Sequence, residues 1–278
     1  MQRREMIKLG DSALMTTELL AGHAASPADE TTPTTTPTTV AEPGGEPWTF
    51  IAVNDLHFHD AACAPWFEKT VAAIKASAPD AAFCLLGGDL ADEGKWEQLK
   101  GAHDAFKGLG IPLYSTPGNH DYVTDTDRTL YDRLLPGHTN QFFTHRNWQF
   151  VGLDTTEGTK WGETHIQPPT FEWLQANLPK LDKTRPTVIW THFPLGADVP
   201  HRPLNARVLL ELLAPLSIRA AFSGHWHAFT EKPWQQAVFT TDRCCSRFRD
   251  NHDGSKEKGW FVCTVHGNNL ERRSVAVT

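Results

Sequence analysis

From Trp48 onward the sequence predicts an α/β domain with a buried sheet. Two observations predict this fold class. Short apolar runs, such as residues 50–53, alternate with segments whose apolar residues recur at helical spacing, such as residues 65–78. Polar clusters also follow directly after the apolar runs, and sites in α/β sheets form beyond the carboxyl ends of strands. Alternation of this kind indicates β-α-β units.

Each predicted element has its own signal. The helix over residues 65–78 places Phe67, Val71 and Ile74 on one face, and residues 95–107 repeat that spacing. The predicted strands are the apolar runs at residues 50–53, 81–86, 111–114, 149–153, 187–190 and 220–222. Beyond Glu231 the chain has β-rich patches at residues 237–240, 260–265 and 274–277 and no helical pattern. The C-terminal part should therefore be mostly strand.

The first 47 residues have a different character. Residues 1–25 resemble a twin-arginine export signal, because Arg3 and Arg4 precede a modest apolar stretch. This predicts a periplasmic or extracellular protein, and a cytoplasmic one if the segment is not a signal. Residues 26–47 contain a Thr/Pro tract without apolar periodicity, which predicts a disordered linker. The folded domain is accordingly predicted at residues 48–278.

The composition excludes several classes of protein. The chain has 278 residues and a formal net charge of -7, which does not predict a general nucleic-acid surface. No run of 18 apolar residues is present, so no transmembrane span is expected. Five scattered cysteines do not form a disulfide framework. The sequence contains neither a phosphate-binding P-loop motif nor a serine-hydrolase elbow.

Five polar clusters carry the functional signal, and each follows a strand-like run. They are Asp55-Leu56-His57, Gly88-Asp89, Gly118-Asn119-His120-Asp121, His192 and Gly224-His225-Trp226-His227. Taken singly, the first two and His192 fit an ordinary strand end or turn. The other two clusters are rare, and all five occur in order along the chain. Imidazole with carboxylate ligands favours Mn, Fe or Zn over an all-oxygen magnesium or calcium site.

This ordered set resembles the calcineurin-like metallophosphoesterase family, and the bacterial cyclic-nucleotide phosphodiesterase branch most closely. The resemblance spans residues 50–228. It implies a four-layer α-β-β-α sandwich with two mixed sheets and a dinuclear metal site. It also implies a first metal on Asp55, His57 and His227, a second on Asn119, His192 and His225, and Asp89 as a bridge between them. His120 would then face the substrate, oriented by Asp121.

The expected function is metal-dependent hydrolysis of a small phosphodiester or phosphomonoester. In that mechanism two transition-metal ions, Mn, Fe or Zn, hold a bridging hydroxide that attacks phosphorus. His120 donates a proton to the leaving group, and Asp121 stabilises the charged imidazole. Two alternatives stay open: a non-catalytic scaffold, or the same centre acting on phospholipid, sugar-phosphate or nucleic-acid substrates. The sequence does not indicate an oligomeric state.

Other polar and aromatic residues have simpler interpretations. His59 and His201 fit solvated loop histidines, and Arg249 fits a solvated basic patch with its neighbours. Trp226, between two predicted ligands, is expected to pack beneath the site. The adjacent pair Cys244-Cys245 matches neither zinc nor thiol-exchange spacing.

Overall fold

The computed structural model describes residues 45–277. The predicted export signal, residues 1–25, and nearly all of the predicted linker, residues 26–47, lie outside them. Export and the linker therefore stay predictions. Within residues 45–277, no helix is both long enough and apolar enough to cross a membrane.

Strands and helices alternate through most of the described chain. The strands are β1 (Trp48–Val53), β2 (Cys84–Leu86), β3 (Leu113–Ser115), β4 (Gln141–His145), β5 (Trp148–Leu153), β6 (Thr187–Thr191), β7 (Ile218–Ser223), β8 (Thr230–Trp234), β9 (Ala237–Thr241), β10 (Gly259–His266) and β11 (Asn269–Ala276). The helices are α1 (Ala64–Ser77), α2 (Trp96–Lys107), α3 (Thr129–Leu134), α4 (Pro168–Asn177) and α5 (Ala206–Leu213).

The strands form two mixed sheets. One sheet has the order β11-β10-β1-β2-β3, and the other has the order β4-β5-β6-β7-β9-β8. The strands that lead into the predicted site, β1, β2 and β3 in the first sheet and β6 and β7 in the second, pair in parallel. The antiparallel pairings are those of β10 and β11 beside β1 in the first sheet and of the edge strands β4 and β8 in the second. The predicted α/β class with two mixed sheets is confirmed.

Three apolar cores lie between four layers of helices and sheets. Between the sheets lies an aromatic core, to which β1 contributes Phe50 and β6 contributes Trp190. Ile51, the next residue of β1, faces the opposite way and packs with side chains from α1 and α2. A third core joins the second sheet to α4 and α5. Because side chains alternate along a strand, each central strand feeds two cores, which explains its continuous apolar run.

Three helices and two strands were not predicted: α3, α4, α5, β4 and β8. These helices are only 6 to 10 residues long, and a periodic pattern is hard to detect over so few turns. For α5 a signal was present, since Leu209, Leu210 and Leu213 are spaced as one buried face. For α4 the signal was Pro168 in the first turn, a position that tolerates proline.

Candidate metal centre

The predicted ligands lie beyond the carboxyl ends of five strands from both sheets. Asp55 and His57 follow β1, Asp89 follows β2 and Asn119 follows β3. From the second sheet, His192 follows β6, and His225 and His227 follow β7. None of the seven side chains is more than 8% exposed. The fold thus brings together donor groups that are up to 172 positions apart in the sequence.

A first group of donor atoms combines Asp55, His57 and His227. The Nε2 atom of His227 lies 3.4 Å from Oδ1 of Asp55 and 3.3 Å from Nε2 of His57. A single proton shared by the two imidazole nitrogens leaves the Asp55 oxygen without a partner in this group. A cation between the three atoms would accept a lone pair from each of them.

A second group combines Asn119, His192 and His225. The Oδ1 atom of Asn119 lies 3.1 Å from Nε2 of His192 and 3.1 Å from Nδ1 of His225. These two ring nitrogens are 3.3 Å apart. The three atoms therefore converge on one point, as ligands of a single ion do.

The Asp89 carboxylate stands between the two groups. Its Oδ2 atom lies 3.4 Å from Nε2 of His57, and its Oδ1 atom lies 3.3 Å from Nε2 of His192. One oxygen thus faces each donor group, an arrangement in which a single carboxylate can bind two ions.

The separations between donor atoms fit transition-metal coordination. Ligand atoms that are ~2.1 Å from one ion lie about 3.0 Å apart in octahedral and about 3.4 Å apart in tetrahedral geometry. The neighbouring donor atoms of both groups are 3.1–3.4 Å apart. The mixture of imidazole nitrogens with carboxylate and amide oxygens suits Mn, Fe or Zn. The residues present therefore fit two such ions.

The outer ring nitrogen of three histidines donates to a backbone carbonyl. His192 Nδ1 bonds Gly87 O at 2.9 Å, and His225 Nε2 bonds Trp161 O at 2.7 Å. His227 Nδ1 lies 3.2 Å from Asp250 O. Because a carbonyl oxygen only accepts, these outer ring nitrogens carry the proton. Each ring therefore presents an unprotonated nitrogen to the centre when neutral, and its orientation is fixed, as in known metal sites.

The backbone at the site is held in an uncommon conformation. Asp55, His57, Asp89 and His225 have φ values of 54°, 45°, 52° and 64°. The left-handed region is unfavourable for residues with a Cβ atom and is tolerated best by Asn, Asp and His. Such residues persist where the surrounding structure imposes them, often at functional sites. The strain here turns four side chains toward the centre at the point where each strand ends.

The glycines of the two rare motifs make room for carboxylates. A Cβ atom on Gly118 would lie 2.1 Å from Oδ1 of Asp89, and one on Gly224 would lie 2.6 Å from Oδ2 of Asp55. Both contacts are far closer than van der Waals packing allows. The amide of His225, next to Gly224, also donates to Asp55 at 3.0 Å.

Opposite charges in the site shift the pKa values of both partners. Burial by itself raises the pKa of Asp55 and Asp89, but neighbouring histidines, His227 and His192 first, hold both below the ordinary value. Burial lowers the pKa of His192 and His227, yet the nearby carboxylates outweigh it and raise these values to about 9 and about 11. Burial lowers the pKa of His225 to about 3. Protons on His192 and His227 would therefore compete with cations for these two rings at neutral pH.

Metal loading at pH 7.5 is expected to release about two protons per chain, since His192 and His227 must be deprotonated to act as ligands. Because protons compete with metal, the affinity should rise as the pH increases toward 9. Calorimetric titration with Zn²⁺ in two buffers of different ionisation enthalpy measures the proton count. A release close to zero, with metal bound, would contradict the assignment of these two ligands.

His120 lies at the edge of the centre and is only half-buried. Its ring centroid is 4.8 Å from that of His57, and it belongs to a possible third donor group with His57 and Asp89. Its Nδ1 atom lies 2.7 Å from Asp92 O, so the proton on Nδ1 is donated to that carbonyl. The Nε2 atom is thus the one available to other partners.

The structure does not support the predicted role of Asp121 in orienting His120. The Asp121 carboxylate accepts hydrogen bonds from the amides of Ala91 at 2.9 Å and Gly118 at 2.8 Å. It is fully buried, and burial together with the charge of Asp89 raises its pKa to about 7. Asp121 therefore braces the loops that carry Asp89 and Asn119, while Asp92 positions His120.

Sequence reasoning missed Asp92 and assigned Arg249 to a solvated patch. Arg249 donates to Oδ1 of Asp92 through Nε at 2.8 Å and through a terminal nitrogen at 2.5 Å. The same Asp92 oxygen lies 3.3 Å from Nδ1 of His57. The sequence feature that could have identified Asp92 is its position three residues after the predicted bridging residue Asp89. Trp226 lies beside the site, half-buried and stacked on His252, rather than beneath it.

The geometry agrees with a match to a family model. Residues 49–229 match the model described as calcineurin-like phosphoesterase, which covers more than half of the chain and all five polar clusters. The chain belongs to the calcineurin-like phosphoesterase family. The centre described above is the dinuclear metal site of the metallophosphoesterase fold, with its candidate ligands in place.

Two family members with curated descriptions are similar in sequence. A 3′,5′-cyclic-nucleotide phosphodiesterase of Nostoc sp. is 29% identical over 116 residues, 42% of each chain. A probable glycerophosphodiester phosphodiesterase of Arcobacter nitrofigilis is 25% identical over 167 residues, 56% of this chain and 60% of the relative. The similar region thus spans less than two thirds of either relative.

Among solved structures, a dimetal phosphatase from Danio rerio superposes with a TM-score of 0.64. The match covers 83% of this chain and 96% of that one at 14% sequence identity. At this identity the likeness shows the shared fold alone.

Proposed function

We propose that this protein hydrolyses a small phosphodiester with two transition-metal ions. The proposed ligands are Asp55, His57 and His227 for one ion, Asn119, His192 and His225 for the other, and Asp89 for both. The observation that carries the proposal is the division of the Asp89 oxygens between two donor groups. The curated relatives named above are both described as phosphodiesterases, which supports a diester.

Residues of the chain itself would keep the carboxylates of the site ionised and its histidine rings in place. Asp55 and Asp89 stay ionised, because the neighbouring histidines hold their pKa values low. Backbone carbonyls fix the rings of His192 and His225, so their inward nitrogens need no reorientation on binding. When bound, two metal ions supply Lewis acidity that activates water and stabilises charge on the phosphoryl oxygens.

His120 is the proposed proton donor to the leaving alkoxide. The Asp92 carbonyl binds its Nδ1–H, which leaves Nε2 to carry the proton that is transferred. Arg249 clamps the Asp92 side chain in turn and thereby fixes the loop that holds the ring. Arg249 is itself 40% exposed, and the Asp92 carboxylate that it binds offsets its charge.

A panel of mono- and diester phosphates, assayed with Mn, Fe and Zn, tests the proposal. The expected result is about two ions per chain by elemental analysis and turnover of diesters at least as fast as monoesters. Phospholipid head-group, sugar-phosphate and nucleic-acid esters belong in the panel as alternative substrates. Protein that binds no metal and stays inactive after addition of Mn would favour the scaffold alternative instead.

A further inference from the structure

The loop between β9 and β10, residues 242–258, lies against the metal centre. It contains neither helix nor strand, and it lies beyond residue 229, where the match to the family model ends. Loops of this length without secondary structure are uncommon in compact domains and are usually functional. The role of the β9–β10 loop is therefore to be sought in the residues that it contacts.

The β9–β10 loop contacts His227 directly. His227 Nδ1 lies 3.2 Å from Asp250 O, and the amide of His252 donates to His227 O at 2.8 Å. The His252 ring also stacks on the His227 ring, with a centroid distance of 5.1 Å and an interplanar angle of 14°. Two residues of the loop thus hold both the ring and the backbone of one proposed ligand.

A second contact leads from the loop to His57. Arg249 donates two hydrogen bonds to Oδ1 of Asp92, and this oxygen lies 3.3 Å from His57 Nδ1. A carboxylate beside the outer nitrogen of a metal-binding histidine orients the ring and raises its basicity. Because the loop supplies the arginine that holds this carboxylate, the orientation of the His57 ring depends on the loop.

A third contact leads from the loop to Asp55. The amide of Cys245 donates to Asn54 O at 3.1 Å, and the Asn54 side chain donates to Oδ2 of Asp55. The carbonyl of Cys245 accepts the indole N–H of Trp66 on α1 at 2.9 Å, which fixes this part of the loop in place. All three proposed ligands of the first ion are thus connected to the loop.

The proposed ligands of the second ion are held by other parts of the chain. The outer ring nitrogens of His192 and His225 bond Gly87 O and Trp161 O. Among the hydrogen bonds within residues 45–277, none joins residues 242–258 to Asn119, His192 or His225. The β9–β10 loop therefore supports one of the two donor groups.

Asn251 connects distant parts of the β9–β10 loop from within. Its side chain is buried, Oδ1 accepts from the amide of Cys244 at 3.1 Å, and Nδ2 donates to Glu257 O at 2.7 Å. It lies in sequence between Asp250 and His252, the two residues that hold His227. Buried backbone groups that lose their hydrogen-bond partners cost free energy, so the shape of the loop depends on this amide.

We propose that the β9–β10 loop selectively stabilises the first ion, and that Asn251 is the positioning residue of the loop. The proposal rests on the proposed function, because it assumes that Asp55, His57 and His227 bind one ion. The ion would hold these three ligands from inside the centre, and the loop holds them from outside. Each should therefore favour the other, since coupling between two sites is reciprocal. The second ion should bind without help from the loop.

Zn²⁺ titration of full chains with one intact donor group tests this proposal. His192→Ala leaves the ligands of the first ion, and His227→Ala leaves those of the second. Adding Asn251→Ala should weaken Zn²⁺ binding about 10- to 100-fold in His192→Ala, the usual effect of removing the outer support of a ligand, and should leave it unchanged in His227→Ala. Asn177→Ala is the matched control, because its amide bonds Trp173 O on α4 and should affect neither ion.

Amide hydrogen exchange gives a second measurement that leaves the loop unchanged. Zn²⁺ should slow the exchange of residues 242–258 in the unmodified protein and in His192→Ala, because occupation of the first site and order in the loop are linked. It should not slow their exchange in His227→Ala, which lacks a ligand of the first ion.

The outcomes separate this proposal from the proposed function, since neither measurement depends on turnover. Equal weakening of both single-site proteins by Asn251→Ala, or weakening of neither, overturns the role of the loop, even if the protein hydrolyses phosphodiesters. Loop exchange that Zn²⁺ leaves unchanged in the unmodified protein also overturns it. Selective weakening of the first ion in a protein that hydrolyses no ester supports the role of the loop and contradicts the catalytic function instead.

Discussion

Asp89→Asn is expected to lower the metal content from about two ions per chain to one or none, and to lower kcat by about 10³-fold. The substitution removes one negative charge and one of the two oxygens that face the donor groups. Losing several kcal/mol of charge stabilisation corresponds to a rate loss of this size. Asparagine tolerates the left-handed backbone that residue 89 adopts, and its oxygen can still accept the His120 amide, so the fold should persist.

Elemental analysis and steady-state kinetics on the same preparation measure this effect. Asp104→Asn is the control, because Asp104 is an exposed carboxylate on α2 that pairs with Lys100 and should leave both readings unchanged. Retention of two ions with full turnover in Asp89→Asn would show that Asp89 is not the bridge.

His120→Ala is expected to slow hydrolysis of alkyl diesters by about 10²–10⁴-fold and to slow activated aryl esters far less. A poor leaving group needs the proton that Nε2 of His120 would supply, whereas a nitrophenolate leaves without one. The ring is half-buried and its Nδ1 atom bonds the Asp92 carbonyl, so its removal should not collapse the centre.

The metal content of His120→Ala decides between two roles for this ring. A proton donor can be removed with both ions retained, whereas the loss of an ion would make His120 a ligand, as its place in a donor group with His57 and Asp89 allows. His59→Ala is the matched control, since His59 lies two residues from His57 but points to solvent and pairs with Asp60. Equal losses on alkyl and aryl esters would rule out the proton-donor role.

The sequence predicted the parts of this molecule that depend on local pattern. Each strand end that carries a donor could be placed, because a buried strand is an apolar run and the polar residue after it must lie at the sheet edge. The backbone strain at Asp55 and His225 could not be predicted, because only the surrounding structure imposes it.

Local sequence patterns could not predict contacts between residues that are far apart in the chain. Arg249 and Asp92 are 157 positions apart, and Trp161 and His225 are 64 positions apart. Nothing near Arg249 in the sequence shows that its loop returns to the strand end beyond β2. For the same reason, the sequence predicted that Asp121 orients its neighbour His120. In the structure the Asp121 carboxylate instead accepts a hydrogen bond from the amide of Ala91, 30 positions away.

The division of the donors between the sheets has a mechanical consequence. Asp55, His57, Asp89 and Asn119 come from the first sheet, and His192, His225 and His227 come from the second. Each proposed ion would therefore be held from both sides and would join the sheets as a cross-link, much as a disulfide joins two distant segments. Metal binding would then stabilise the sandwich against separation of its two sheets, and a metal-depleted protein would lose this added stability while it keeps the aromatic core between the sheets.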